Sequence, residues 1–156
     1  MGRRVACVGA GNTAVDVVTQ AKRLGAEHAV MVYRRGPEDA PAYRYEMELA
    51  KLDGCEFEWW AAPVRIEGRG RVERLICVRT RPTGAKERGK RAIEVVPGSE
   101  FAIPCDMVVR ALGQTARLDF LGEIGVEVEP DGRVKVDPAT MQTSNPKYFA
   151  GGDCTN

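Results

Sequence analysis

Val5-Ala6-Cys7-Val8-Gly9-Ala10-Gly11-Asn12-Thr13-Ala14, answered by Tyr33-Arg34-Arg35, decides how this chain folds. An apolar run of strand length turns on two glycines into a segment whose Val15, Val18, Ala21 and Leu24 recur at helical spacing. Gly25 suits the position after the helix, and Ala29 to Tyr33 is a second apolar run of strand length. In such a strand-turn-helix, Gly9 permits the tight turn and Gly11 lets a pyrophosphate approach the backbone. Ala14 takes the place of a third glycine, where alanine is also allowed. The free N–H groups of Ala10, Gly11 and the helix start face the phosphates, helped by the positive end of the helix dipole. Asn12 and Thr13 are placed to add side-chain hydrogen bonds at the helix entry. An acidic residue after the second strand would accept the 2′-hydroxyl of NAD. Arg34 and Arg35 stand there instead, and guanidinium groups pair with a 2′-phosphate, so the ligand expected is NADPH. The GxGxxA pattern alone also occurs in strand-turn-helix units that bind nothing and in methyltransferases, and paired arginines alone are ordinary surface charges. The ordered run of strand, helix, strand and basic pair favours the dinucleotide.

Outward from this unit, Gly36 to Ala40 reads as a turn, with Pro41 in the first turn of a second helix running through Ala42, Tyr45, Leu49 and Leu52 to Gly54. Cys55 to Trp59 alternates like a half-exposed strand, and strands follow at Val64 to Glu67 and Val72 to Thr80 around Gly68-Arg69-Gly70. Pro82 to Lys90 reads as a charged loop, Ala92 to Val96 and Phe101 to Ile103 as the rest of an antiparallel meander, and Met107 to Leu112 as a buried strand. The order predicts an α/β fold: a doubly wound, Rossmann-like parallel sheet whose last crossover is a β-meander. In the tail, Val126-Glu127-Val128 and Arg133 to Val136 flank Pro130-Asp131-Gly132, a hairpin signal. A polar loop over Asp137 to Pro146 follows, then a short strand, Tyr148 to Ala150, running into Gly151-Gly152-Asp153.

The hydrophobic share of 44% supplies a real core, and a net charge of +1 with both signs interspersed gives no nucleic-acid footprint. No apolar run approaches a membrane span, and Arg3-Arg4 precedes too short an apolar stretch for a signal peptide. The five cysteines form no CxxC and are odd in number, which argues against a disulfide framework and against a zinc or iron–sulfur site in this chain; no metal ligand is assigned. Cys7, Cys77 and Cys105 read as small core residues, and Cys154, beside Asp153, as the one candidate reactive thiol. A reduced, cytoplasmic setting follows from this usage. His28 reads as a surface or packing residue, and Glu46 and Glu48 as part of a solvated helix face. Trp59-Trp60 reads as strand-end packing, with stacking on an adenine as the alternative.

With these residues in view, Gly9-Ala10-Gly11-Asn12-Thr13-Ala14 and Tyr33-Arg34-Arg35 resemble the NADPH-binding domain of two related groups. These are the small (beta) subunit of glutamate synthase and the flavin-containing electron-entry region of dihydropyrimidine dehydrogenase. Glu48-Leu49-Ala50-Lys51 with Cys55-Glu56-Phe57 is similar to the latter. So is Val136-Asp137-Pro138-Ala139-Thr140-Met141-Gln142-Thr143-Ser144, running to Phe149-Ala150-Gly151-Gly152-Asp153. The resemblance implies two nested Rossmann-like domains, with residues 1–110 the NADPH-binding insert and 111–156 a partial return into the FAD-binding domain. It implies that Ala111, Leu112 and Gly113 lie near NADPH, that Arg34 and Arg35 meet its 2′-phosphate, and that Gly152 and Asp153 meet the ribityl–phosphate region of FAD. The related dehydrogenase carries a later basic residue near the place of Pro41, for which Arg44 is the nearest substitute.

Two departures accompany the resemblance. The FAD-binding GxGxxG expected upstream is absent, and Asn156 falls where a helix facing the flavin should begin. The expectation is a piece of a larger enzyme, able to hold NADPH without FAD and inactive alone. Its implied partners are the remainder of the FAD domain and an iron–sulfur or catalytic subunit. The reaction implied is hydride transfer from NADPH to FAD and onward. The cofactors supply that chemistry, so no catalytic residue is named. A nucleotide-binding interaction module without turnover is the rival reading. A disulfide reductase of the thioredoxin-reductase type is the third, and the missing CxxC counts against it.

Overall fold

The computed structural model describes residues 2–87, 90–113 and 117–155. The chain divides into two compact units, Met1–Leu112 and Gly113–Asn156.

The first unit is built on a parallel four-stranded sheet in the order β3-β2-β1-β8, with β1 at Arg4–Val8, β2 at His28–Tyr33, β3 at Glu56–Trp59 and β8 at Met107–Arg110. Strand β1 is apolar throughout its last four residues because both its faces are covered. Val5 and Cys7 point into one core with Ala29 and Met31 of β2. Ala6 and Val8 point into another with Val32. Helices α1 (Asn12–Arg23) and α2 (Arg44–Leu52) contribute Ala14, Val15, Val18, Ala21, Met47 and Ala50 to the first core. Both end in the same way. Gly25 and Gly54 take left-handed φ values of 93° and 78°, and the amide of the following residue reaches back to Ala21 O and Ala50 O at 2.9 and 3.0 Å.

The second core is closed by an antiparallel sheet, which is the crossover from β3 to β8. Strand β5 (Arg74–Glu87) is its spine, paired with β4 (Ala61–Glu67) and β7 (Phe101–Pro104) along its first half and with β6 (Lys90–Val95) along its second. Leu75 and Cys77 of β5, Ala61 of β4 and Cys105 meet Ala6 and Val8 there. Trp60, at a positive φ of 56°, turns the chain from β3 into β4.

Several boundaries differ from the sequence reading. Pro82 to Lys90 is no simple loop. Strand β5 runs on to Glu87, with a register shift between Pro82 and Lys86 where Gly84 takes a φ of 82°. Arg88 and Gly89 lie outside the described residues. Helix α2 starts at Arg44, not at Pro41, because the amides of Ala42 and Tyr43 are bonded to the glycine turn, as given below, and Tyr43 is extended. Its buried face is Met47 and Ala50, while Tyr45, Leu49 and Leu52 are exposed. The last strand of the antiparallel sheet, β7, returns to β5 and not to β6. The edge strand β8 is half-buried.

The described residues of the second unit hold one short α-helix, α3 (Asp119–Glu123), and single antiparallel bridges at Val128–Val134, Val136–Thr143 and Gln142–Phe149. The hairpin expected around Pro130-Asp131-Gly132 is present, closed by Glu129 N donating to Arg133 O (2.7 Å) with Gly132 at a φ of 89°. Tyr148 to Ala150 contributes a bridge in place of the expected strand. Among the described residues of the whole chain, no helix is long and apolar enough to cross a membrane.

Candidate functional site

At the carboxyl end of β1 the chain enters α1 on one side of the sheet, while the crossover on the other side delivers β8. Ligands of doubly wound sheets bind in the crevice such a reversal opens. Here Gly9 N donates to Val32 O (3.0 Å) and Ala111 N to Val8 O (2.9 Å), so the glycine turn is pinned between β2 and the residue after β8. Gly9 has a φ of 137°, and a Cβ on it would lie 2.2 Å from Ala111 O. That glycine is demanded by the fold.

Gly11 is different. Its φ of −86° is open to any residue, and the nearest atom to an added Cβ is Pro41 Cγ at 3.9 Å. Nothing inside the protein requires glycine there. A Cβ would instead stand in the open space over the start of α1, where a ligand's phosphates would have to come close to the backbone. That helix end is bare. Gly11 is its cap with no side-chain bond, and the first turn has no acidic residue. Gly11 O accepts from Ala14 N (2.9 Å) and Val15 N (3.2 Å), which leaves the earlier amides pointing outward.

Ala10 and Ala14 are buried beneath this turn, and Thr13 is exposed at its rim. Asn12 does not cap the helix. Its Oδ1 accepts from Tyr43 N (3.0 Å), and Ala10 O accepts from Ala42 N (3.0 Å). The expected helix-entry bond is thus replaced by a clasp that holds residues 41–43 across the glycine turn. Arg44, the substitute cation named from the sequence, is exposed at the start of α2.

The two arginines after β2 part company. Arg34 is exposed, and its guanidinium has no hydrogen-bond or ion-pair partner among the described residues. Its own carbonyl accepts from the buried Thr80 hydroxyl at 2.8 Å. Arg35 is 6% exposed, and its Nε donates to Arg91 O at 3.0 Å. Arg34 is therefore an exposed cation at the end of β2 with no partner among the described residues, while Arg35 ties that end to β6. Arg91, which the sequence reading did not single out, is held by Glu38 and by Asp39 Oδ2, the latter at 2.9 Å. The Arg91 guanidinium beside it keeps the Glu38 carboxyl below its ordinary range.

Ala111 is half-buried against the glycine turn, and Leu112 is exposed just beyond it. Gly113 opens the second unit. Within that unit Gly152, at a φ of 74°, begins a single 3₁₀ turn through Cys154. Asp153 is exposed and lines a cavity of about 680 Å³ with Leu121, Tyr148, Phe149 and Ala150. Cys154 is exposed and donates to Gly151 O at 3.3 Å. The other four cysteines are buried, and burial pushes the Cys7 thiol up to about 12 and that of Cys77 to about 11. His28 is a surface partner of Glu56 (2.8 Å), and Trp59 stacks on Phe57.

A parallel sheet with a bare helix end at its reversal point, backed by an antiparallel sheet, is the architecture of the Rossmann class of nucleotide-binding folds. The chain belongs to the pyridine nucleotide-disulphide oxidoreductase family, which it matches over residues 1–156. It is 39% identical over 158 residues to the glutamate synthase [NADPH] small chain of Escherichia coli (strain K12), covering 97% of this chain and 34% of that one. It is 39% identical over 153 residues to the NADP(+)-dependent formate dehydrogenase subunit beta of Moorella thermoacetica, covering 97% of this chain and 22% of the relative. Among solved structures, T. acidophilum thioredoxin reductase shares the fold, with a TM-score of 0.72 at 20% identity over 98% of this chain and 44% of the other. The chain thus spans about a third or less of the length of these two sequence relatives.

Proposed function

We propose that this chain is the NADPH-binding part of a flavoprotein oxidoreductase, of the glutamate synthase small-chain kind, that feeds electrons to a larger complex. When bound, NADPH would supply a hydride to FAD. The chain's own residues bind and orient. The outward amides at the start of α1 receive the pyrophosphate, Gly11 leaves room for it, and Arg34 pairs with the 2′-phosphate. Ala111 and Leu112 close the crevice on the β8 side. Gly152 and Asp153 are assigned to FAD on the resemblance alone.

The observation that carries this reading is the pair of features at one edge of the parallel sheet. There is a glycine that the fold does not need, over a bare helix end, and an exposed guanidinium with no partner among the described residues at the end of the neighbouring strand. The relatives named for NADPH and NADP(+) support it.

Losing one charge-assisted hydrogen bond removes about 1.5–3 kcal/mol, roughly ten- to a hundredfold in affinity. Calorimetric titration of the full chain should therefore show NADPH binding more tightly than NADH. Arg34→Ala should weaken NADPH by about that factor and leave NADH little changed. Equal affinities for the two cofactors in the parent chain would overturn the assignment.

A further inference from the structure

Glu38 and Asp39 sit four and five residues beyond Arg34, on the 3₁₀ turn Pro37–Asp39 that leads away from the end of β2. Two carboxylates so close in the chain to the cation assigned to a 2′-phosphate are electrostatically wrong for that ligand. The structure answers them with a single residue from another part of the fold. Arg91, on β6, donates from Nε to Asp39 Oδ2 (3.1 Å) and from Nη2 to Glu38 Oε1, and its guanidinium lies 5.7 Å from the Trp60 ring centre.

The turn is built to present its acids to that guanidinium. Tyr33 OH donates to Asp39 O (3.1 Å), and Trp60 N donates to Arg35 O (3.2 Å). Gly36 is needed because a Cβ there would come within 2.8 Å of both Trp60 Cζ2 and Glu38 Oε2. From the other side, Arg35 Nε grips the carbonyl of Arg91 itself. Backbone and side chain of one residue of β6 are thereby fixed to both ends of the segment 35–39, which directly follows Arg34.

We infer that Arg91 is a specificity-determining residue that never touches the ligand: it masks Glu38 and Asp39, so that the field around Arg34 favours a 2′-phosphate over a 2′-hydroxyl. This rests on the NADPH reading above and deepens it. Arg91 is a positioning residue. Unmasked, the two carboxylates would repel a doubly charged phosphate within about a Debye length, and would act far less on a neutral ribose hydroxyl. The twin-arginine pattern after β2 is therefore incomplete as a code for NADPH. Arg34 selects, Arg35 anchors, and Arg91 removes the opposing charge.

The experiment is titration calorimetry of the full chain with NADPH and with NADH. Arg91→Met should weaken NADPH about tenfold with NADH unchanged. Adding Glu38→Gln and Asp39→Asn to Arg91→Met should bring NADPH back to within about threefold of the parent, an outcome that lost packing at Arg91 would not produce. Glu38→Gln with Asp39→Asn alone, which sets Arg91 free, should tighten NADPH several-fold. An Arg91→Met variant that binds NADPH like the parent, or one not rescued by removing the two acids, overturns the inference. If Arg91→Met does not fold, the acid-free variant decides: tighter NADPH sustains masking, and unchanged or weaker NADPH ends it. Failure of the underlying reading looks different, as a parent chain that does not distinguish NADPH from NADH. That result would remove the inference along with it.

Discussion

The two units of this chain use apolar residues in opposite ways. In Met1–Leu112, a strand buried on both faces feeds two cores, and side chains such as Met31, Val18 and Cys77 are wholly enclosed. In Gly113–Asn156, Val126 and Val134 are the buried apolar residues among those described, whereas Phe120, Met141, Tyr148 and Phe149 stay exposed. Both stretches carry hydrophobic residues in quantity. What separates them is periodicity and partners. The first has helices and two sheets whose faces match. The second has, among its described residues, single bridges and one short α-helix, and it leaves its aromatic side chains exposed. A segment that buries so little apolar surface cannot offset the conformational entropy of ordering it. The first unit thus encloses its large apolar side chains, and the second leaves most of its own exposed.

The sharpest way to break that comparison is to separate the units. Residues 1–112 produced alone should unfold cooperatively in urea, with circular dichroism and the fluorescence of Trp59 and Trp60 giving coincident transitions. Residues 113–156 produced alone should show no transition and a collapsed amide dispersion by NMR. A well-dispersed spectrum for the second piece would show the contrast to be mistaken. A smaller effect comes from paired truncations in the full chain. Met31→Ala empties a site of 0% exposure and should destabilise the first unit by about 2–5 kcal/mol. Phe149→Ala removes a ring that is 64% exposed and should change the unfolding free energy read from the urea transition by less than about 0.5 kcal/mol. Comparable losses at both positions would mean that the second unit packs far better than its exposure indicates.

Legibility in the sequence followed the range of the interactions. Strand β1, helix α1 and strand β2 were readable because glycine chemistry and hydrophobic period act over a few residues. The Gly25 helix end, with its reach back to Ala21, is of that kind. The start of α2 is not legible locally because the groups that hold Ala42 N and Tyr43 N out of the helix are distant in sequence: Ala10 O and Asn12 Oδ1. The β5–β6 hairpin was hidden by Pro82 and Gly84, which signal a loop locally but are absorbed by a register shift in a paired strand. At the site, Arg34 and Arg35 are indistinguishable as letters. Arg35 is made a strut by Arg91, fifty-six positions away, and no local pattern announces that residue.

The finest contrast lies in how each unit uses a carboxylate at its surface. Glu67 on β4 faces Arg74, its register partner on β5, and Arg65, two residues back on its own strand, each at 2.7 Å; Arg65 also reaches Glu100. Bonds from Arg74 and then Arg65 hold the Glu67 carboxyl below its ordinary value. Asp131 is lowered in the same way by Arg133, but within one turn. A carboxyl whose folded pKa is depressed adds stability above its unfolded value, about 4.3 for glutamate, and loses it as pH falls through the folded value. Glu67→Gln should thus lower the urea midpoint of the first unit at pH 7 by less than Met31→Ala does, and the difference from the parent should close as pH drops below about 4. Asp131→Asn should leave that transition unmoved at every pH, because its pair joins two residues of one turn in a unit with no cooperative core. A pH-dependent shift from Asp131→Asn equal to that of Glu67→Gln would mean that the two units unfold together.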